Sequence, residues 1–208
     1  MTPALSHLIA AEPAFAPLIA RIGRPTLRPE RGRSPYEALL RAITHQQLHA
    51  RAAEAILARF CALYPAPFPA PADVIATPDA PLRACGLSAS KIAAIRDLCA
   101  RTLDGTVPSR RAAARLSDAA LIERLVSIRG IGRWTVEMLL IFTLGRPDVL
   151  PVDDFGIREG WRLLLGLDER PKPKILAAHG AAFAPYRSTA AWYLWRAADE
   201  GKKIKPAN

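Results

Sequence analysis

Two glycines separated by one residue, Gly130 and Gly132, sit in the run Leu125-Val-Ser-Ile-Arg-Gly-Ile-Gly-Arg-Trp-Thr-Val136. An aspartate pair, Asp153 and Asp154, follows some twenty residues later in Leu150-Pro-Val-Asp-Asp-Phe-Gly-Ile-Arg158. Glycine tolerates positive φ and lets another backbone come close. A helix that starts just after it presents unpaired N–H groups and partial positive charge, which suits a phosphate oxygen. Arg133 adds a full charge beside them. Carboxylates at the start of the next helix either cap it or stabilise positive charge on a substrate. From the glycines alone, a plain helix-turn-helix would look the same.

These residues need helices to hold them, and the hydrophobic period is helical almost throughout. Ser34-Pro-Tyr-Glu37 predicts a helix to about Gln47, with Ser34 capping, Pro35 in the first turn and Glu37 completing a capping box. A second helix is expected over roughly 49–63. It stops at Tyr64-Pro-Ala-Pro-Phe-Pro-Ala-Pro71, whose prolines forbid helix. Further helices are expected over 79–84, 89–102, from Ser117 to the glycine turn, 132–144, from an Asp153 cap to Leu165, 172–183 and 187–199. The basic tail from Gly201 to Asn208 is expected to fray.

The composition points to a polyanionic partner. The 208 residues carry a formal charge of +10. Residues 21–60 hold eight arginines against Glu30, Glu37 and Glu54, so half of the excess lies in a fifth of the chain. Clustered arginine favours nucleic acid. Cys61, Cys85 and Cys99 are spaced for neither a zinc site nor a disulfide framework, and buried reduced thiols are expected. No apolar run approaches the ~20 residues that span a bilayer, and the Met-Thr-Pro-Ala start has no signal-peptide pattern. A cytoplasmic, membrane-free monomer is the expectation.

The pattern around Gly130 resembles the helix-hairpin-helix of the DNA glycosylase superfamily. Three more segments extend the likeness. Ile43-Thr-His-Gln-Gln-Leu-His-Ala-Arg-Ala-Ala53 is similar to that family's Ile, Gln-pair and Ala-pair signature. Gly86-Leu-Ser-Ala-Ser-Lys-Ile-Ala-Ala-Ile-Arg-Asp-Leu98 is similar to its Gly-Leu-Ser, Lys, Ile, Leu segment, and the aspartate pair follows the hairpin as it does there. The resemblance runs from about residue 34 to 199 and is nearest to the 3-methyladenine DNA glycosylase II branch. It implies an all-α fold of two helical subdomains flanking a DNA-binding cleft. One subdomain would comprise 1–30 with 150–208, and the other 31–149. A further N-terminal sheet domain found in some relatives is expected to be absent.

The same resemblance assigns roles. Asp154 takes the catalytic position, with Asp153 left as the helix cap. Trp134, Tyr186 and Met138 fall at base-pocket positions, Met138 where a relative has tyrosine. Gly130, Ile131, Gly132, Arg133, Thr135 and Lys91 would contact DNA, with Arg51 a further phosphate candidate. Gln46, Gln47 and Leu48 form the loop that fills the gap left by a flipped base, with Gln47 favoured as the plug. His49 stands where relatives have serine. Trp192 and Trp195 read as packing. Backbone carbonyls of Val126, Ile128 and Gly130 would hold a Na+ or K+, with no cofactor required. No cysteine lies beyond Cys99, so the iron–sulfur cluster of a cousin family is excluded.

The expected activity is hydrolysis of the N-glycosidic bond of alkylated bases, of 3-methyladenine or 7-methylguanine type, after base flipping in damaged duplex DNA. Trp134 stands where strand-cutting members carry a Schiff-base lysine, so no lyase step is expected. The alternatives are a glycosylase for oxidised or mismatched bases and a non-catalytic helix-hairpin-helix module.

Overall fold

In a computed structural model of the chain, which describes backbone to residue 204 and side chains to residue 202, short-range signals start many of the helices. In chain order these are α1 (Pro3–Ala11), α2 (Phe15–Ile22), α3 (Pro35–His45), α4 (Ala50–Cys61), α5 (Pro71–Ala76), α6 (Asp79–Ala84) and α7 (Ala89–Leu103). They continue as α8 (Arg110–Ala113), α9 (Asp118–Leu125), α10 (Arg133–Met138), α11 (Phe155–Leu165), α12 (Pro173–Gly180) and α13 (Arg187–Ile204). A π-helical stretch, Leu139–Leu144, prolongs α10, and a 3-10 turn, Ala181–Phe183, follows α12. Among the described residues there is no strand, and no helix is long and apolar enough to cross a membrane.

Serine caps open three helices as their spacing predicts. Ser34 Oγ accepts the Glu37 N–H at 3.1 Å, Ser88 Oγ that of Lys91 at 3.3 Å, and Ser117 Oγ that of Ala120 at 3.2 Å. Each satisfies one of the donors that a helix start leaves unpaired. The capping box at α3 is only half formed. Glu37 turns its carboxylate to Arg41 Nε at 3.0 Å, where a full charge outcompetes a backbone N–H.

Elsewhere the structure departs from the sequence reading. The proline run does end in helix, because Pro71 occupies the first turn of α5, where a missing N–H costs nothing. The four-residue α8 is too short and α1 too evenly apolar to show a clear period, whereas α2 does segregate Phe15, Leu18 and Ile19 to one buried face and is an addition to the sequence reading. The expected helix over 132–144 loosens to π geometry at Leu139, which a 3.6-residue pattern cannot register. The tail is helical as far as Ile204 rather than frayed from Gly201; residues 205–208 lie outside the described part.

The chain divides into two compact units, Glu30–Leu144 and a unit made of Met1–Pro29 with Gly145–Asn208. The central unit buries Leu39, Leu40, Ile43, Leu57, Phe60, Ile95, Leu98, Leu121 and Leu125. Arg110 ties its two ends together, donating through one guanidinium nitrogen to the carbonyls of Glu30, Arg33 and Thr143 at 2.8–2.9 Å. The three cysteines are unpaired, with Cys85 and Cys99 buried; burial raises all three thiols above their ordinary range.

The second unit packs α1 and α2 with α11, α12 and α13 around Leu8, Phe15, Trp161, Phe183 and Tyr193. Within it α11 and α13 approach at backbone distance. A Cβ at Gly160 would overlap the carbonyl oxygen of Leu194 and stand 2.6 Å from its carbonyl carbon. Only glycine fits there.

Candidate functional site

The hairpin belongs to the central unit, between α9 and α10. Gly130 adopts φ +78°, and a Cβ there would stand 3.1 Å from that of Ala94 on α7. Gly132 differs: its φ is −91° and a Cβ would meet nothing within 4 Å. Gly130 is therefore required by conformation, whereas Gly132 leaves open space before the first turn of α10. As N-cap, Gly132 brings no side-chain acceptor to that turn. Such an opening suits a phosphate oxygen.

The residues after it divide by exposure. The Arg133 side chain is 61% exposed, and its Nε donates to Glu137 Oε1 at 2.9 Å. Trp134 is 48% exposed. Ile131 and Thr135 are buried, at 4% and 6%, so their side chains pack inward. The Ile131 N–H is also taken, donated to the Ile128 carbonyl at 3.0 Å, so neither residue offers DNA an exposed side chain. Glu137, which the sequence reading passed over, is 5% exposed. A carboxylate buried this far needs ion pairing and hydrogen bonds to offset desolvation. The signal was available as an acid four residues after Arg133 in an otherwise apolar helix.

The loop after α3 is fastened to the hairpin. Gln46 Nε2 donates to the Gly130 carbonyl at 2.8 Å. Lys91, expected at a phosphate, donates one of its three N–H groups to the Thr44 carbonyl at 2.6 Å, and burial lowers its pKa from the ordinary lysine value. Just after these anchors Gln47 takes φ +59°, rare for a side chain of its size, and is exposed together with Leu48 and His49. The display of Gln47 follows from the anchoring of its neighbours. Arg51 is exposed one turn further on.

Met138 lines a cavity of about 270 Å³ in the same unit, with Arg41, His45, Glu54, Thr135 and Phe142. Phe142 is 38% exposed and lies on the π-helical stretch, where the change of pitch resets which residues share a face. That is why helical spacing did not single it out.

In the other unit Asp154, rather than Asp153, is the N-cap of α11. Its Oδ1 accepts the Ile157 N–H at 2.9 Å, while Asp153 is exposed. The sequence reading gave the cap to Asp153 because either residue of an Asp pair can start a helix. The same Oδ1 accepts the Trp195 indole N–H at 3.0 Å. Trp195 therefore does more than pack, and a partner 41 residues away leaves no local trace. Trp192, at 8% exposure, is core as expected. Tyr186 is half-buried, and the His7 ring meets it edge to face at 5.4 Å.

Among the described residues no group of three or more His, Cys, Asp or Glu could hold a metal ion. Of the carbonyls considered for a monovalent cation, that of Ile128 accepts the Ile131 N–H at 3.0 Å, and Gly130 is engaged by Gln46.

Comparison with known proteins adds to this geometry. Residues 40–185 match the HhH-GPD superfamily of base excision DNA repair proteins. The chain is 42% identical over 213 residues to DNA-3-methyladenine glycosylase 1 of Schizosaccharomyces pombe, covering 99% of this chain and 92% of that one. The structure of the 3-methyladenine DNA glycosylase of that yeast, in complex with abasic DNA, superposes with a TM-score of 0.82 at 43% identity, over 94% of this chain and 96% of that one. A DNA-3-methyladenine glycosidase from Bacillus halodurans superposes with a TM-score of 0.89 at 33% identity, over 98% and 92%.

Proposed function

Because this chain belongs to the HhH-GPD superfamily of base excision DNA repair proteins, we propose that it is a monofunctional DNA glycosylase that removes alkylated purines, of 3-methyladenine and 7-methylguanine type, from duplex DNA. The observation that carries this reading is Asp154, held at the start of α11 by two N–H donors on one oxygen. A carboxylate fixed in this way is suited to stabilise positive charge that develops on a sugar.

The chemistry follows from charge. Breaking the C1′–N bond sends its electron pair to the base and builds oxocarbenium character on the sugar. An alkylated purine is already cationic, so the departing pair neutralises it and no strong general acid is needed. Water adds at C1′, its proton passes to the Asp154 carboxylate, and an abasic site remains. Trp134 offers a half-exposed indole to a flipped cationic base, worth about 1–2 kcal/mol through cation–π attraction. A tryptophan has no amine for a Schiff base, so the strand is not cut.

The central unit supplies the backbone grip through Gly132 and Arg133, and Gln47 enters the stack in place of the flipped base. A Na+ or K+ on the hairpin carbonyls fits poorly at Gly130, where an amide N–H already faces the oxygen, and no step is routed through it. The enzyme is taken to act as a cytoplasmic monomer.

Asp154→Asn should lower release of 3-methyladenine and 7-methylguanine from alkylated duplex by about a hundred- to a thousandfold, with duplex affinity retained. Chromatography of the released bases reads this directly. Undiminished release would overturn the assignment. Release only from oxidised or mismatched duplexes would point to another glycosylase specificity, and binding without release to a non-catalytic module.

A further inference from the structure

We propose that Trp195 is a positioning residue for catalysis, holding the Asp154 carboxylate in its working orientation through the indole N–H, with Gly156 and Gly160 as the device that brings it there. The inference rests on the glycosylase reading of Asp154.

The geometry is built from α11 outward. Gly156 and Gly160 are four residues apart, so they lie on one face of the helix, and both abut α13. A Cβ at Gly160 would collide with the Leu194 backbone. A Cβ at Gly156 would stand 2.9 Å from Trp195 Cδ1, 3.1 Å from Asp154 Oδ1 and 3.4 Å from Trp195 Nε1. The two bare positions let α13 lie close enough for the indole to rest against the first turn of α11. Its N–H then reaches Asp154 Oδ1 at 3.0 Å, while the Ile157 N–H reaches the same oxygen at 2.9 Å.

Ile157 belongs to the same helix turn as Asp154, whereas Trp195 belongs to a different helix. A carboxylate held only by its own turn keeps rotational freedom about the side-chain bonds. A second donor from another element removes it. Preorganisation of this kind favours a transition state because no reorientation accompanies charge development. Packing alone does not ask for indole. Trp195 is only partly buried, and phenylalanine would fill similar space without the N–H.

Trp195→Phe removes the donor and keeps the ring. Under single turnover on a duplex with one alkylated purine, base release is expected to slow about tenfold or more, the usual loss for a hydrogen bond to a charged group. The Kd for that duplex should stay within twofold and the melting temperature close to wild type. In an Asp154→Asn background the same substitution should cause no further slowing. Trp192→Phe, on the same helix, should leave the rate unchanged. Wild-type rates in Trp195→Phe would overturn the proposal, as would a loss that merely follows weakened DNA binding or an equal loss in the Asp154→Asn background. If Trp195→Phe does not fold, Gly156→Ala tests the same contact, since its methyl displaces the indole, and must show the same split between rate and affinity. Wild type against Asp154→Asn reads the glycosylase assignment separately, so failure of one is told from failure of the other.

Discussion

Replacing Gly160 by alanine tests the packing on which the catalytic carboxylate depends. The added methyl would overlap the Leu194 carbonyl oxygen, and would stand 2.6 Å from its carbonyl carbon and 2.9 Å from its Cα, where ordinary contact begins near 3.4 Å. The obstacle is helix backbone, so no side chain can swing aside. To bring the oxygen back to contact distance α13 has to move away by roughly 1.5 Å, and overpacking of this kind costs about 1–3 kcal/mol. Backbone against backbone places Gly160→Ala at the upper end. For a chain of this length about 3 kcal/mol corresponds to a fall of roughly 6–12 °C in melting temperature. The same displacement stretches the Trp195–Asp154 bond by as much from its 3.0 Å, beyond hydrogen-bonding range. Two readouts should therefore change together. Calorimetry should show the lowered transition, and single-turnover base release at a temperature where the variant is folded should slow by about the factor seen for Trp195→Phe. A Gly160→Ala protein with wild-type melting and wild-type release would refute the close approach of α11 and α13 and the positioning argument built on it.

Further expectations concern each unit separately. Arg133→Ala should lower the slope of log affinity against log salt by about 0.9, the value for one lost phosphate contact on duplex DNA; an unchanged slope in fluorescence anisotropy titrations would mean that Arg133 does not touch the backbone. Asp148 accepts both Nε and a terminal nitrogen of Arg187 at 2.8 Å, and these bonds hold its carboxyl below the usual carboxylate range. A lowered folded-state pKa contributes stability at neutral pH that is lost as pH falls below about 4. Asp148→Asn should accordingly cost about 1 kcal/mol at pH 7, as expected for a partly exposed pair. Urea melts should show the gap to wild type narrowing as pH falls below the ordinary aspartate range, and a gap independent of pH would contradict the ion pair.

Much of this protein was legible in the chain because helix signals are local. Ser34, Ser88 and Ser117 cap where their spacing says they should, since a cap involves residues three apart. The hairpin glycines and the aspartate pair were found for the same reason: turn conformation and helix starts are written in adjacent residues. What sequence spacing could not rank was Asp153 against Asp154, because both are suitable caps and the choice depends on where the preceding turn releases the chain. Nor could it show that Lys91 serves the Thr44 carbonyl, or that Gln46 is tied to Gly130 while Gln47 is displayed at φ +59°. These partners are brought together by helix packing, and no periodicity records them.

The glycines of α11 mark the boundary between the two kinds of information. By itself the sequence determined an all-helical chain with a glycine hairpin, a following carboxylate and a tryptophan where a lysine would have changed the chemistry. Tertiary structure alone decided which oxygen of which aspartate is held, and by what. Gly156 and Gly160 look like weak helix residues in isolation. Only the position of α13 shows that a missing Cβ at each admits Leu194 and Trp195, and so places an indole N–H on a carboxylate 41 residues away.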